Sequence, residues 1–165
     1  MMAGLALIGC QPKDSEKQPS VEEVKAKRQE VARKLTAESV MLLEKKDYQG
    51  AVTALDAAIK FDPTNRDPYL LLGQILLKSG EFKRAAEFLD QAAKMFPDDG
   101  MMFYMLSVAS KMNGDKLPAV LSARRSYELF KAANDQDNAA KSADLLEQVV
   151  KMPDAKDSKN NPSDK

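Results

Sequence analysis

Small and apolar residues recur between Tyr48 and Lys131 in blocks that repeat every 34 positions. Ala51, Ala85 and Ala119 coincide in this register, followed by Leu55, Leu89 and Ala123, and then by Ala58, Ala92 and Ser126. Within each block the steps of four and three residues place these side chains on one face of a helix. A second set shares the period: Tyr69 overlays Phe103, Leu72 overlays Leu106, Gly80 overlays Gly114, Pro63 overlays Pro97 and Tyr48 overlays Phe82. Such self-similarity predicts helix pairs that cannot bury their apolar faces alone and stack to do so. Alanine lets paired helices approach closely, the aromatics fill the gap between successive pairs, and proline stops a helix. Gly80 and Gly114 fall where the first helix of a pair must turn back, a position that favours positive φ. Asp62-Pro63-Thr64-Asn65 and Pro97-Asp98-Asp99 are expected to end one pair and cap the next.

The flanks of the repeated region read differently. Ser20-Val21-Glu22-Glu23 has the form of a capping box, and no Pro or Gly interrupts residues 21–46, so one long helix of roughly 39 Å is expected. Its first third is too polar to be buried throughout and should extend beyond the body. After the third block, Asn134-Asp135-Gln136-Asp137 reads as a turn and cap. Ala139, Ala140, Ala143, Leu146, Val149 and Val150 follow on a helical period, with Lys141, Asp144, Glu147 and Lys151 left for water. That segment, about 137–151, is predicted to cap the stack. Residues 153–165 hold no large apolar side chain and are predicted to be a disordered tail. Residues 11–19 are polar, bounded by two prolines, and could span roughly 30 Å as a tether.

The 34-residue pattern resembles the tetratricopeptide repeat, whose units run Trp-x2-Leu-Gly-x2-Tyr, Ala-x3-Phe and Pro. Residues 66–99 match it best, with Tyr69, Leu72-Gly73, Leu76, Ala85, Leu89 and Pro97 in the corresponding places. Residues 32–65 keep Ala51, Leu55, Ala58 and Pro63 but have Glu38-Ser39 at the Leu-Gly position. Residues 100–133 keep Phe103, Leu106, Gly114 and Ala119 but carry Lys131 at the closing proline, so their second helix need not stop on schedule. The resemblance implies an all-α, right-handed solenoid of three helix-turn-helix units within residues 20–152, with an extended N-terminal helix and a C-terminal capping helix.

In that family the first helix of each pair lines a concave surface that selects the ligand. The resemblance places Val40 and Leu43, then Leu70, Gln74 and Leu77, then Met101, Tyr104, Val108 and Met112 on that surface, with Lys78 and Lys111 at its edge. The chaperone-binding members grip a terminal carboxylate with Lys, Asn and Arg. Here Thr36, Val40, Leu71, Met101 and Met105 stand in those places and cannot donate charge-assisted bonds, which excludes that mode. An apolar groove with unbranched methionines suits an amphipathic helix or peptide of another protein. The alternative is a self-associating structural protein, a homodimer included, whose groove is filled by its own helices.

Composition narrows the function further. The chain carries 25 Lys and Arg against 25 Asp and Glu, so no broad basic field recommends nucleic acid as a partner. There is no histidine, and Cys10 is the single cysteine among 165 residues. The commonest general base and the usual metal ligands are therefore missing, and no enzyme activity, metal or cofactor is expected. Glu22 to Arg28 and the Arg124-Arg125 pair read as solvated helix faces.

Residues 3–10 form an apolar run too short to span a bilayer. Leu7-Ile8-Gly9-Cys10 resembles the lipobox of bacterial lipoprotein precursors, although no Lys or Arg precedes the run. That resemblance implies a signal over residues 1–10, cleavage after Gly9 and lipidation of Cys10. Gln11, not Asp, after the cysteine resembles outer-membrane sorting. Together these features lead to the expectation of a non-catalytic scaffold or adaptor, lipid-anchored on the periplasmic face of a bacterial outer membrane.

Overall fold

The computed structural model describes residues 18–153, and the signal-like run with Cys10, most of the tether and the tail from 154 lie outside them. Among the described residues the secondary structure is entirely helical: α1 (Val21–Glu44), α2 (Tyr48–Phe61), α3 (Asp67–Lys78), α4 (Phe82–Met95), α5 (Gly100–Asn113), α6 (Lys116–Ala132) and α7 (Gln136–Val150). Consecutive helices pack against each other along the whole array, and the first helices of successive pairs, α3, α5 and α7, also touch directly. The result is an α-solenoid.

The capping box at the start of α1 is closed in both directions. The Ser20 hydroxyl oxygen accepts from the Glu23 amide at 3.2 Å, and Glu23 accepts from the Ser20 amide at 2.7 Å. The first turns of α1 are exposed, in keeping with their polarity, but they are not bare. Arg28 donates to the carbonyls of Phe61 and Lys60 at 3.2 and 3.1 Å, capping the C-terminal end of α2 from the neighbouring helix. The charged face of α1 is thus partly structural, which its mixed-charge pattern did not disclose.

The period of 34 is visible as burial. Ala51, Leu55 and Ala58 are fully buried, as are Ala85, Leu89, Ala119, Ala123 and Ser126. Gly73 shows why a small residue is needed where first helix meets second helix: a Cβ there would lie 2.7 Å from a Leu89 methyl and 3.0 Å from the Met105 methyl. Ser39 and Ser107 hold the same position in the flanking units and are fully buried. Their hydroxyls are turned onto backbone carbonyls, that of Thr36 at 2.6 Å and that of Ala119 at 2.8 Å.

Each first helix ends in the same device. Lys46, Gly80 and Gly114 adopt positive φ (63°, 77° and 85°), and the following amides bond back five residues: Asp47 to Leu42, Glu81 to Leu76 and Asp115 to Ser110. This is the Schellman closure, and Asn134 repeats it between α6 and α7 with φ 56°. Caps at the other turn depart from expectation in one place. Asp99 caps α5, accepting from the Met101 and Met102 amides, but α3 starts at Arg66 without a side-chain cap, and Asn65 accepts instead from the Asp67 amide.

With Lys131 at the closing position, α6 runs 17 residues against 14 for α2 and α4. The buried stripe of α7 is shifted from the expected one: Ala139, Ser142, Leu145 and Val149 are buried, whereas Ala140 and Val150 are exposed. Ser142 can face inward because its hydroxyl meets Ser126 Oγ at 2.9 Å, and Ser126 in turn donates to the Gly100 carbonyl at 2.8 Å. A polar pair therefore sits where a purely apolar face was expected.

Candidate functional site

The side chains assigned to the concave surface come from α1, α3 and α5, and helical spacing sets their exposure. Val40, Gln74 and Met112 are exposed, while Leu43, Leu70, Leu77, Met101, Tyr104 and Val108 are half-buried. Leu43, Leu70, Leu77 and Met101 rest on the main core, so their inner faces stabilise the fold while their outer faces form an apolar wall. Met105 is different: it is 5% exposed and belongs to the core.

The two ends of this surface are not alike. Near α1, Leu43, Tyr48, Leu71, Gln74, Ile75 and Lys78 enclose a hollow of about 120 Å³. Toward the C-terminal end, α7 contributes its own apolar side chains: Tyr104 and Val108, together with Leu146, pack against the cluster that contains Leu145 and Val149. Lys111, at the rim, donates to Gln148 Oε1 of α7 at 2.5 Å. The polypeptide itself thus covers part of the third unit's contribution.

The opposite face holds the larger openings, and the periodic pattern of small and apolar residues gave no sign of them. A slot of about 720 Å³ lies between α4 and α6, floored by Phe103 and Leu106 of α5 and walled by Ala86 and Ala93 on one side and Leu117, Pro118 and Leu121 on the other. Leu117 and Leu121 are 68% and 55% exposed. The equivalent slot between α2 and α4 measures about 410 Å³ and contains Phe88. Arg125, read from sequence as part of a solvated pair, borders the larger slot, places its guanidinium 5.9 Å from the Phe103 ring centre and donates to the Pro97 carbonyl at 3.0 Å. It joins adjacent repeats, whereas Arg124 is exposed.

Among the described residues two carboxylates are shifted downward. Glu30 lies below the usual carboxylate range because Lys34 donates to it, and Asp135 is lowered by bonds from the Asn138 side chain and amide. Both shifts favour the ionised form, the opposite of what a general acid needs. Among the described residues no group of His, Cys, Asp or Glu is arranged to hold a metal ion. No helix among them is long and apolar enough to cross a membrane.

Residues 42–107 match the tetratricopeptide repeat family. The match covers 66 of the chain's 165 residues. The solenoid around it has the same fold as solved tetratricopeptide structures of low sequence identity. One is the TPR2B domain of yeast Sti1 in complex with an Hsp70 peptide, at TM-score 0.67 and 18% identity over 74% of this chain and 98% of that one. Another is PcrH of Pseudomonas aeruginosa, at TM-score 0.67 and 18% identity over 73% of this chain and 92% of that one. PcrH in complex with the chaperone-binding region of PopD gives TM-score 0.65 and 18% identity over 72% and 90%. No curated protein matches the sequence.

Proposed function

We propose that this tetratricopeptide array is a non-catalytic adaptor that holds a helix or extended segment of another protein on its concave, apolar surface. The observation that carries the reading is the set of apolar side chains Leu43, Leu77, Met101 and their neighbours, left partly exposed by helices whose other faces pack in the core. Two of the structurally similar proteins were solved as peptide complexes, one with an Hsp70 peptide and one with a segment of PopD, which supports a protein partner by analogy of fold. The lipobox-like Leu7 to Cys10 adds the second half of the proposal, a lipid anchor at Cys10 that keeps the adaptor on the periplasmic face of a bacterial outer membrane.

Crosslinking in the native envelope followed by mass spectrometry identifies the partner, and Leu77→Glu with Tyr104→Glu tests the surface. Loss of the crosslinked partner with an unchanged helical circular dichroism signal is the expected outcome; capture at the original level removes the concave surface from consideration. Metabolic labelling with a fatty-acid analogue tests the anchor, and labelling that persists in Cys10→Ser overturns it.

The second reading, a self-filled surface in a protein that associates with itself, draws on the packing of Tyr104 and Val108 against the α7 cluster. Sedimentation equilibrium distinguishes the two: a concentration-dependent dimer abolished by Leu77→Glu favours self-association.

A further inference from the structure

The repeat supplies its own standard for judging the slot between α4 and α6. In the preceding unit, Phe88 projects from the second helix and stacks on Tyr69, with ring centres 5.9 Å apart, and the slot it borders is about 410 Å³. One period later Tyr69 becomes Phe103 but Phe88 becomes Ser122, so the second ring is missing. Two neighbouring changes work in the same direction. Arg84 becomes Pro118 and Glu87 becomes Leu121, replacing a charged wall by an apolar one. The consequences are an opening of about 720 Å³, a half-buried Phe103 where Tyr69 is 5% exposed, and two leucines facing solvent. Its volume falls in the range of sites that take a discrete ligand.

The charges at the slot are unequal. Its cations are already engaged, Lys94 by Asp90 at 2.6 Å and Arg125 by the Pro97 carbonyl and Asp98. Asp115 accepts from the Asn113 amide group, and Glu87 has no partner among the described residues. An occupant is therefore met by an aromatic floor that carries the Arg125 guanidinium but no second ring, and by a rim whose uncompensated charge is negative.

We propose that this slot is a second docking site, on the face opposite the concave surface, for a short segment of another protein that presents an aromatic side chain next to a basic one. The aromatic ring takes the place that Phe88 fills one repeat earlier, against Phe103, and the cation pairs with Glu87. The site is independent of the concave reading and shares none of its residues.

The test uses acetyl-Phe-Arg-amide as the probe, titrated into the full chain while the leucine methyl signals are followed by NMR, with acetyl-Phe-Glu-amide and acetyl-Ala-Arg-amide as controls. Shifts centred on Leu106, Leu117 and Leu121, with either control at least about tenfold weaker, are expected. Ser122→Phe refills the slot with the protein's own ring and is expected to abolish those shifts while circular dichroism is unchanged. Leu121→Lys, at an exposed position, removes part of the apolar wall and opposes the probe's charge, and provides the same test should Ser122→Phe fail to fold. Probe shifts that survive in both variants, or that centre on Leu43 and Leu77, overturn the proposal. So does equal binding of the controls. Two other occupants have their own signatures, each overturning the peptide assignment: a concentration-dependent dimer lost in Leu121→Lys means a second copy, and shifts that appear only after deletion of residues 1–17 mean the chain's own N-terminal segment.

Discussion

Phe88 and Ser122 occupy the same position of successive repeats, 34 residues apart, and only Phe88 can stack on the aromatic residue beneath it. The difference should be measurable in stability as well as in binding. Phe88→Ala removes a half-buried ring from the Tyr69 stack and is expected to lower unfolding free energy by about 2 to 3 kcal/mol in urea titration. Ser122→Phe adds the missing stack on Phe103 and is expected to be neutral or to stabilise by about 1 kcal/mol. A loss of similar size in both variants would mean that the larger slot has no room for a ring.

Lys46 stands where Gly80 and Gly114 stand in the later units, all three with positive φ, but only the glycines escape the steric cost of a Cβ there. Lys46→Gly should raise the urea midpoint by the equivalent of about 1 kcal/mol, and Gly80→Ala should lower it by a similar amount. Nothing lies within 4 Å of a Cβ built on Gly80, so the second effect isolates backbone strain from packing. Equal stabilities for Gly80→Ala and wild type would remove the strain argument.

Asp99 ties two units through one carboxylate. Oδ1 accepts from the Met101 and Met102 amides at the start of α5, while Oδ2 receives Arg66 from the start of α3 at 2.5 Å. Asp99→Ala is expected to cost about 2 kcal/mol, the upper range for a helix cap, because a nearly buried carboxylate with three donors is lost. Asp99→Asn retains an oxygen for the cap and should cost about half as much. Chemical denaturation of the two variants side by side makes the comparison, and identical losses would place all of the effect in the ion pair.

Asp135 gives α7 a dependence on pH. Its carboxyl is held below the ordinary 3.8 by hydrogen bonds from the Asn138 side chain and amide. A depressed carboxylate contributes stability that is fully present above its unfolded value and is lost as pH falls through the lower folded one. The cap on α7 should therefore loosen below about pH 4 and remain intact above it. Hydrogen exchange of the Asn138 and Ala139 amides reports this, with protection falling on acidification. In Asp135→Asn the same amides should lose the acid-sensitive step, and an unchanged step would assign it to another group.

The period of 34 was enough to place the helices and much of the core, because Ala51, Leu55, Gly73, Ala85 and Leu89 are required by contacts between neighbouring helices, and such contacts leave a local, repeating imprint. The turn glycines and the Ser20 capping box were readable for the same reason, since they answer to backbone geometry within a few residues. The departures involve contacts across helices with no local signature: Arg28 capping α2, Arg125 over Phe103, and Ser142 buried against Ser126. Each looked solvated or polar from its own neighbours in sequence, and each is explained by a residue 16 to 33 positions away.

The sequence alone therefore determined that this chain is an all-α stack of helix pairs, since periodic burial, helix stops and positive-φ turns are properties of short segments that each repeat states again. Only the tertiary structure decided which surfaces remain open: how far α7 covers the third unit, and how wide α4 and α6 stand apart over Phe103. Openings depend on side-chain volume summed over three helices at once, and a change from Phe88 to Ser122 has meaning only when the gap that the ring leaves behind is seen in space.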